Sequence, residues 1–224
     1  MSNILPFDLQ GLQIIDLSVS LDESLPIYPT DPRFEVHRHA TIEKDGVNVS
    51  LLAMGLHSGT HVDAPSHFMA GAPTVDMVPL SSFYGPAVCI DCPKDPGGNI
   101  DPEDVARGMI QTGDIVLFRT GWEKRAGTPR FFQDEWPGFT EEAIEALVTC
   151  GAKAIGGDIC SADSPRGTKS GARGHKAAAR HGLPIFEALI NLREVVGRRF
   201  LFFGLPIRLS GCEAGPVRAV ALLA

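Results

Sequence analysis

The stretch His57-Ser58-Gly59-Thr60-His61-Val62-Asp63-Ala64-Pro65-Ser66-His67-Phe68 gathers three of the chain's seven histidines and one aspartate into twelve residues. In an extended chain, side chains two apart share a face, so His61 and Asp63 point the same way. His57 lies four residues before His61. That spacing also converges on a helix, but Gly59 and Pro65 oppose a helix there. Ala64, ahead of proline, is held extended. Two imidazoles and one carboxylate are thus presented to one point, a nitrogen and oxygen ligand set suited to zinc or manganese. A lone histidine is ordinarily surface or core. Three at this spacing with an aspartate make that bland reading the minority one.

Two histidines and an aspartate do not complete a tetrahedral zinc site. The remaining histidines are 37, 39, 175 and 181, and Glu187 lies twelve residues after His175 in the apolar segment LPIFEALI. A carboxylate between Phe186 and Ala188 is costly to bury unless paired or metal-bound; on an exposed helix face it needs no partner. His37 and His39 sit in an alternating strand and are read as solvent-facing.

The elements that must position these residues are those of an α/β chain. QIIDLSV reads as an opening strand, and FEVHRHATI and VNVSLLAMG as a hairpin about Lys44-Asp45-Gly46. YGPAVCIDC, DIVLFRTGW and AKAIGGD read as strands. Asp101-Pro102-Glu103-Asp104 opens a helix expected to end near Gln111, and Thr140-Glu141-Glu142 opens a second, with Gly151 at its C-terminal cap. SADSPRGTKSGARG, from 161 to 174, is expected to be a loop, and HKAAARHG a short helical turn. IFEALINL fits helix or strand equally. RRFLFFGLPIRL and PVRAVALLA are expected to be the last two strands.

The 224 residues suit one domain spanning the whole chain, with a core large enough to need neither disulfides nor a structural metal. A formal charge of −7 argues against a nucleic-acid or acidic-membrane partner. The longest apolar run, FLFFGLPI, is too short to span a bilayer, and MSNILPFDLQ lacks the pattern of a signal peptide. The five cysteines form no disulfide framework, and Cys89 and Cys92 are read as buried thiols rather than a redox pair. A cytoplasmic setting is expected.

At these residues the sequence resembles the cyclase-family metal hydrolases, among them bacterial kynurenine formamidases and isatin hydrolases. Their signature, H-x-G-T-H-x-D-x-P-x-H-F, is matched without a gap by residues 57–68. The resemblance continues through FRTGW, the His175 and Glu187 pair, and PVRAVAL. It implies a swivelling β/β/α fold with a mixed sheet and few helices, and a homodimer or homotetramer. It also implies metal ligation by His57, His61 and Asp63, with His175 and Glu187 as the distal ligands. In the formamidase-like members the counterparts of Asp63 and Glu187 bridge two zinc ions, and that of His67 is the catalytic histidine. Isatin hydrolases carry glutamine at the position of Glu187, so the glutamate leans this chain toward two metals. The formamidases' W-P-G-D turn contacts an aromatic substrate through its tryptophan. Here it becomes Tyr28-Pro29-Thr30-Asp31, which keeps an aromatic and changes its size. The stretch 161–174 is also longer and more basic than a minimal connector. Tyr28, Phe68 and Arg173 are the candidate substrate contacts, Arg173 because its basic stretch would attract a substrate carboxylate.

The function expected is metal-dependent, arylformamidase-like hydrolysis of a carbon–nitrogen amide bond in a small N-formyl aryl amide or cyclic amide. Two zinc ions are expected, with manganese as the alternative. A bound divalent ion lowers the pKa of water to about 7 and polarises a carbonyl. His67, with an ordinary imidazole pKa of about 6.5, suits the proton shuttle. Two alternatives stand beside this reading. One is an ester or lactone hydrolase with the same centre. The other is a non-catalytic, metal-stabilised binding protein, disfavoured because a structural zinc site closes its shell and His67 is left over.

Overall fold

The run Tyr84–Asp91 shows no polar alternation because both faces of its strand are covered. Ala87 and Cys89 enter one apolar cluster, and Val88 and Ile90 enter another. The segment Ile115–Arg119 divides in the same way, Ile115 and Leu117 against Val116 and Phe118. Strands buried on both sides read as continuous hydrophobic runs.

The computed structural model describes residues 11–133 and 135–223. Within them the strands, in chain order, begin with β1 (Gln13–Asp16), β2 (Glu35–Ala40), β3 (Val49–Ala53) and β4 (His61–Asp63). Next come β5 (Tyr84–Asp91), β6 (Asn99–Ile100), β7 (Ile115–Arg119), β8 (Gly138–Phe139) and β9 (Ala154–Gly157). The last are β10 (Ile185–Glu187), β11 (Arg199–Phe203), β12 (Ala214–Pro216) and β13 (Val220–Leu223). Nine of them form one mixed sheet in the order β1-β13-β11-β5-β7-β9-β10-β4-β12. Its centre, β5-β7-β9-β10, is parallel, and both flanks are antiparallel.

The helices are short: α1 (Ile42–Asp45), α2 (Pro102–Val105), α3 (Arg130–Gln133), α4 (Glu141–Thr149), α5 (Pro165–Lys169) and α6 (Arg173–Arg180). Parallel neighbours need crossover connections. Here α4 lies between β7 and β9, and α5 and α6 lie between β9 and β10. Val105 of α2, Ala143, Ile144 and Leu147 of α4, and Ala177 and Ala178 of α6 cover one face of the sheet. The other cluster gathers Leu17, Phe202 and Ala221 from one flank with Val62 and Phe186 from the other, so the sheet curls around it. This is the single-domain α/β architecture with a mixed sheet expected from the sequence. No helix among the described residues is long and apolar enough to cross a membrane.

Four local expectations change. The helix begun at Pro102 ends at Val105 rather than near Gln111. Gly108 presses on Ile90, where a Cβ would meet Ile90 Cδ1 at 2.5 Å, so the chain turns away. The stretch 161–174 is not all loop, because Ser164 caps α5 by accepting from the Gly167 N–H, with Pro165 at the first position. IFEALINL resolves as strand, β10, laid parallel to β9. The C-terminal region makes three strands where two were expected, because the chain breaks between β12 and β13. The β2–β3 hairpin forms as expected, with α1 inserted in its connection. Cys89 and Cys92 are buried free thiols.

Candidate metal centre

Gly59, at φ 67°, turns the chain into β4, and its carbonyl accepts from His61 Nδ1 at 2.9 Å. A carbonyl can only accept, so the proton sits on Nδ1 and the Nε2 lone pair turns into the cluster, 3.3 Å from His57 Nδ1. Within β4, Val62 faces the apolar core, so His61 and Asp63 face the opposite side. Strand β10 runs antiparallel beside β4 with Glu187 opposite His61, which places the glutamate on the same face. Thr60 Oγ1 fastens the two strands by donating to the Ala188 carbonyl at 2.7 Å. Ala64 and Pro65 then lead into one turn of 3-10 helix that carries His67.

His175 comes from α6. Its Nδ1 donates to Asp163 Oδ2 at 2.5 Å, and Asp163 also accepts the backbone N–H groups of Gly174 (2.9 Å) and His175 (3.0 Å). That carboxylate fixes the ring with Nε2 inward, as second-layer partners of metal-binding histidines do. His57 turns Nδ1 inward, while its Nε2 lies 3.5 Å from Glu213 Oε1.

These atoms converge on Asp63. Its Oδ1 lies 2.9 Å from His57 Nδ1 and 3.3 Å from His61 Nε2. Its Oδ2 lies 3.7 Å from His175 Nε2 and 4.0 Å from His67 Nε2. Glu187 stands opposite, with Oε2 3.6 Å from His61 Nε2 and Oε1 3.6 Å from His175 Nε2. The Ala162 N–H donates to Oε1 at 2.7 Å. Potential ligand atoms of His57, Asp63 and His67 lie within 4.8 Å of one another, as do those of His61, Asp63 and Glu187. Asp63 belongs to both groups.

The electrostatics follow from crowding. Burial alone would raise the Asp63 carboxyl, but His57, His175 and His61 hold it well below its usual range. Burial opposes charge on His57, yet Asp63, Glu187 and Glu213 raise it to about 9. Burial, with the neighbouring imidazoles, depresses His67 to about 4 against the pull of Asp63. Burial and the Asp63 charge push Glu187 up. Both oxygens of Asp63 are buried with no aligned hydrogen-bond donor. A buried carboxylate without donors, ringed by imidazole nitrogens and a second carboxylate, fits a divalent cation.

His57, His61, Asp63, His67, His175 and Glu187 are therefore all brought together. Tyr28 and Phe68 line the adjoining cavity of about 230 Å³, with Thr30, Asp31, Phe132, Cys160 and Thr168 among its other walls. The Phe68 ring stacks on His175 with centroids 4.1 Å apart. Arg173 is not brought there. It is exposed at the start of α6 and lines a separate cavity of about 280 Å³ with Arg166 and Asn99. His37 is exposed and paired with Glu35, and His39 is exposed. Asp163 and Glu213 escaped the sequence reading. No local pattern marks them, since the Asp163 contact depends on the bend between α5 and α6 and the Glu213 contact on strand pairing across the sheet.

The sequence pattern of the family described as "Putative cyclase" matches residues 15–164. This chain belongs to that family. A kynurenine formamidase of Erythrobacter litoralis (strain HTCC2594) is 33% identical over 213 residues, covering 93% of each chain. Isatin hydrolase A from Labrenzia aggregata, solved bound to benzyl benzoate, is 25% identical with a TM-score of 0.82, covering 95% of this chain and 94% of its own. A structure described as a potential metal-dependent hydrolase with cyclase activity is 27% identical with a TM-score of 0.79, covering 95% and 98%. The cyclase-family chain described here is a metal-dependent hydrolase, and its buried cluster offers a donor set that could hold a divalent cation.

Proposed function

We propose that this cyclase-family hydrolase cleaves the carbon–nitrogen bond of a small N-formyl aryl amide or cyclic amide. The observation that carries the reading is the buried Asp63 carboxylate, which makes no aligned hydrogen bond and is ringed by His57, His61, His175 and Glu187. The His61 and His175 rings are fixed by Gly59 and Asp163 so that Nε2 points inward. His57, His61, Asp63, His175 and Glu187 would hold the metal. Asp63 and Glu187 each turn one oxygen toward His61 and the other toward His175, which favours two ions, and the nitrogen and oxygen donors favour zinc, with manganese as the alternative. When bound, such an ion supplies a water of lowered pKa and an electrophile for the carbonyl oxygen.

The remaining work falls to the chain's own side chains. His67 does not keep the ordinary imidazole pKa expected from the sequence: at about 4 it is neutral and a weaker base. What supports the shuttle role is its place, 29% exposed toward the cavity with Nε2 4.0 Å from Asp63 Oδ2, where it would take a proton from water and return it to the leaving nitrogen. Its ring packs on His57 at 4.2 Å between centroids, which limits its rotation. Tyr28, Phe68 and Phe132 give the cavity apolar walls suited to an aryl group.

The test is His67→Ala, assayed by elemental analysis and by turnover on an N-formylaniline. Bound metal should stay at the wild-type level while turnover falls at least about a hundredfold. Loss of the metal itself would make His67 a ligand, and retained turnover would remove it from the proton path.

A further inference from the structure

The solvent side of the cavity differs in chemistry from its buried end. Beyond the histidines, Phe68 and Glu187, its lining consists of Tyr28, Thr30, Asp31, Phe132, Cys160, Ser161 and Thr168. No lysine or arginine lines it among the described residues. The basic stretch after β9 turns its arginines elsewhere: Arg166 and Arg173 line the neighbouring cavity, and Arg166 pairs with Glu135 at 3.0 Å. The ionisable group at the outer wall is the half-buried carboxylate of Asp31. It is placed by a turn in which the Asp31 N–H donates to the Tyr28 carbonyl at 2.9 Å.

Tyr28 opens that turn, lines the same cavity and meets Phe132 edge to face, with centroids 5.8 Å apart at 90°. Trp136 backs both rings, 6.2 Å from Tyr28 and 6.0 Å from Phe132. A carboxylate next to fixed aromatic faces is the chemistry that receives an ammonium group, through the ion pair and through attraction to the ring faces. The same wall offers a substrate carboxylate no cation and one repelling charge.

We propose that Tyr28, Asp31 and Phe132 determine specificity by selecting amide substrates with a protonated amino group remote from the scissile bond, and by disfavouring those with a carboxylate there. The proposal rests on the amide-hydrolase reading for its reaction and not for its recognition. Asp31, Tyr28 and Phe132 lie outside the metal-ligand cluster, so this selection acts on a different part of the substrate from the one that reacts.

The experiment uses metal-loaded protein and N-formylanilines with para-aminomethyl, para-methyl or para-carboxymethyl groups. The expected order of kcat/KM is cation, then neutral, then anion, with at least about tenfold between the extremes. Raised ionic strength should narrow that ratio, and Asp31→Asn should bring it within about threefold. A carboxylate substrate turned over as well as the cation, or an unchanged ratio in Asp31→Asn, overturns the proposal. Calorimetry with benzylammonium and benzyl alcohol, neither of which offers a carboxylate to a metal, reads recognition without turnover. Wild type should bind the ammonium at least about tenfold more tightly, and Asp31→Asn should lose that preference. Equal binding overturns the proposal. Retained preference with no hydrolysis of any anilide upholds it and defeats the amide-hydrolase reading instead.

Discussion

Asp63 and Asp158 are both carboxylates sealed within the same sheet, 2% and 0% exposed, yet their surroundings are opposite. Asp158, just after β9, is surrounded by donors. It accepts from Thr120 N–H (2.6 Å) and Oγ1 (2.8 Å), Gly121 N–H (2.7 Å) and Glu123 N–H (3.1 Å). It thereby shapes the turn that follows β7 and seats Trp122, whose Nε1 donates to the carbonyl of Phe131, the neighbour of the cavity residue Phe132, at 3.1 Å. Asp63 has no aligned donor at all. A buried carboxylate costs several kcal/mol of lost hydration unless something replaces the water. For Asp158 the backbone replaces it, and the group is structural. For Asp63 the imidazoles and Glu187 surround a place that a cation would fill, and under the proposed function the group is catalytic machinery. Burial alone does not distinguish the two; the identity of the neighbours does.

Substitution should separate them in opposite directions. Asp63→Asn is expected to bind less than stoichiometric metal by elemental analysis and to lose at least about a thousandfold in turnover, because the activated water goes with the ion. Added divalent metal should raise the unfolding midpoint of the wild type and not that of the variant. A midpoint that metal raises equally in both would put Asp63 among the structural carboxylates and erase the contrast.

Asp158→Ala should do the reverse. Three backbone N–H groups and one hydroxyl lose their acceptor, at a cost of about 3 kcal/mol or more. In a domain of this size that lowers the thermal midpoint by about 6–12 °C. The protein that remains folded should still bind metal at the wild-type ratio. Metal loss at temperatures well below unfolding would mean that the turn after β7 also shapes the ligand cluster.

The contrast also explains what could be read in advance. The residues at 57–68 were legible because a strand has period two and Gly59 and Pro65 oppose a helix running through His61 and Asp63, so these two share a face, while Pro65 opens the short 3-10 turn that carries His67. Strand positions were legible where apolar runs carried them, as in β5 and β7. Glu187 alone was not decidable, because its role depends on β10 being a strand paired with β4, and IFEALINL suits either period. Arg173 is next but one to His175 along the chain and lines a different cavity, because successive positions on a helix point to different sides. Asp163 reaches His175 across twelve residues and two helices, a contact set by tertiary packing and not by any local pattern.

Asp163 stands between the two extremes, since it is fully bonded like Asp158 and yet joins the candidate metal cluster through His175. Burial would raise its carboxyl, but the imidazole and backbone N–H groups hold it down. Asp163→Ala should weaken metal affinity by about 10–100-fold, measured by competition with a chelator, because the His175 ring loses the partner that fixes its tautomer and angle. Asp163→Asn should lose less, since an amide oxygen in the place of Oδ2 still accepts both His175 bonds and forfeits the one to Gly174. A purely structural role would give the other pattern, with the thermal midpoint falling in both variants and the affinity of the folded protein unchanged. Equal affinities in wild type, Ala and Asn would place Asp163 with Asp158, and the orientation of His175 would then have to come from its stacking on Phe68.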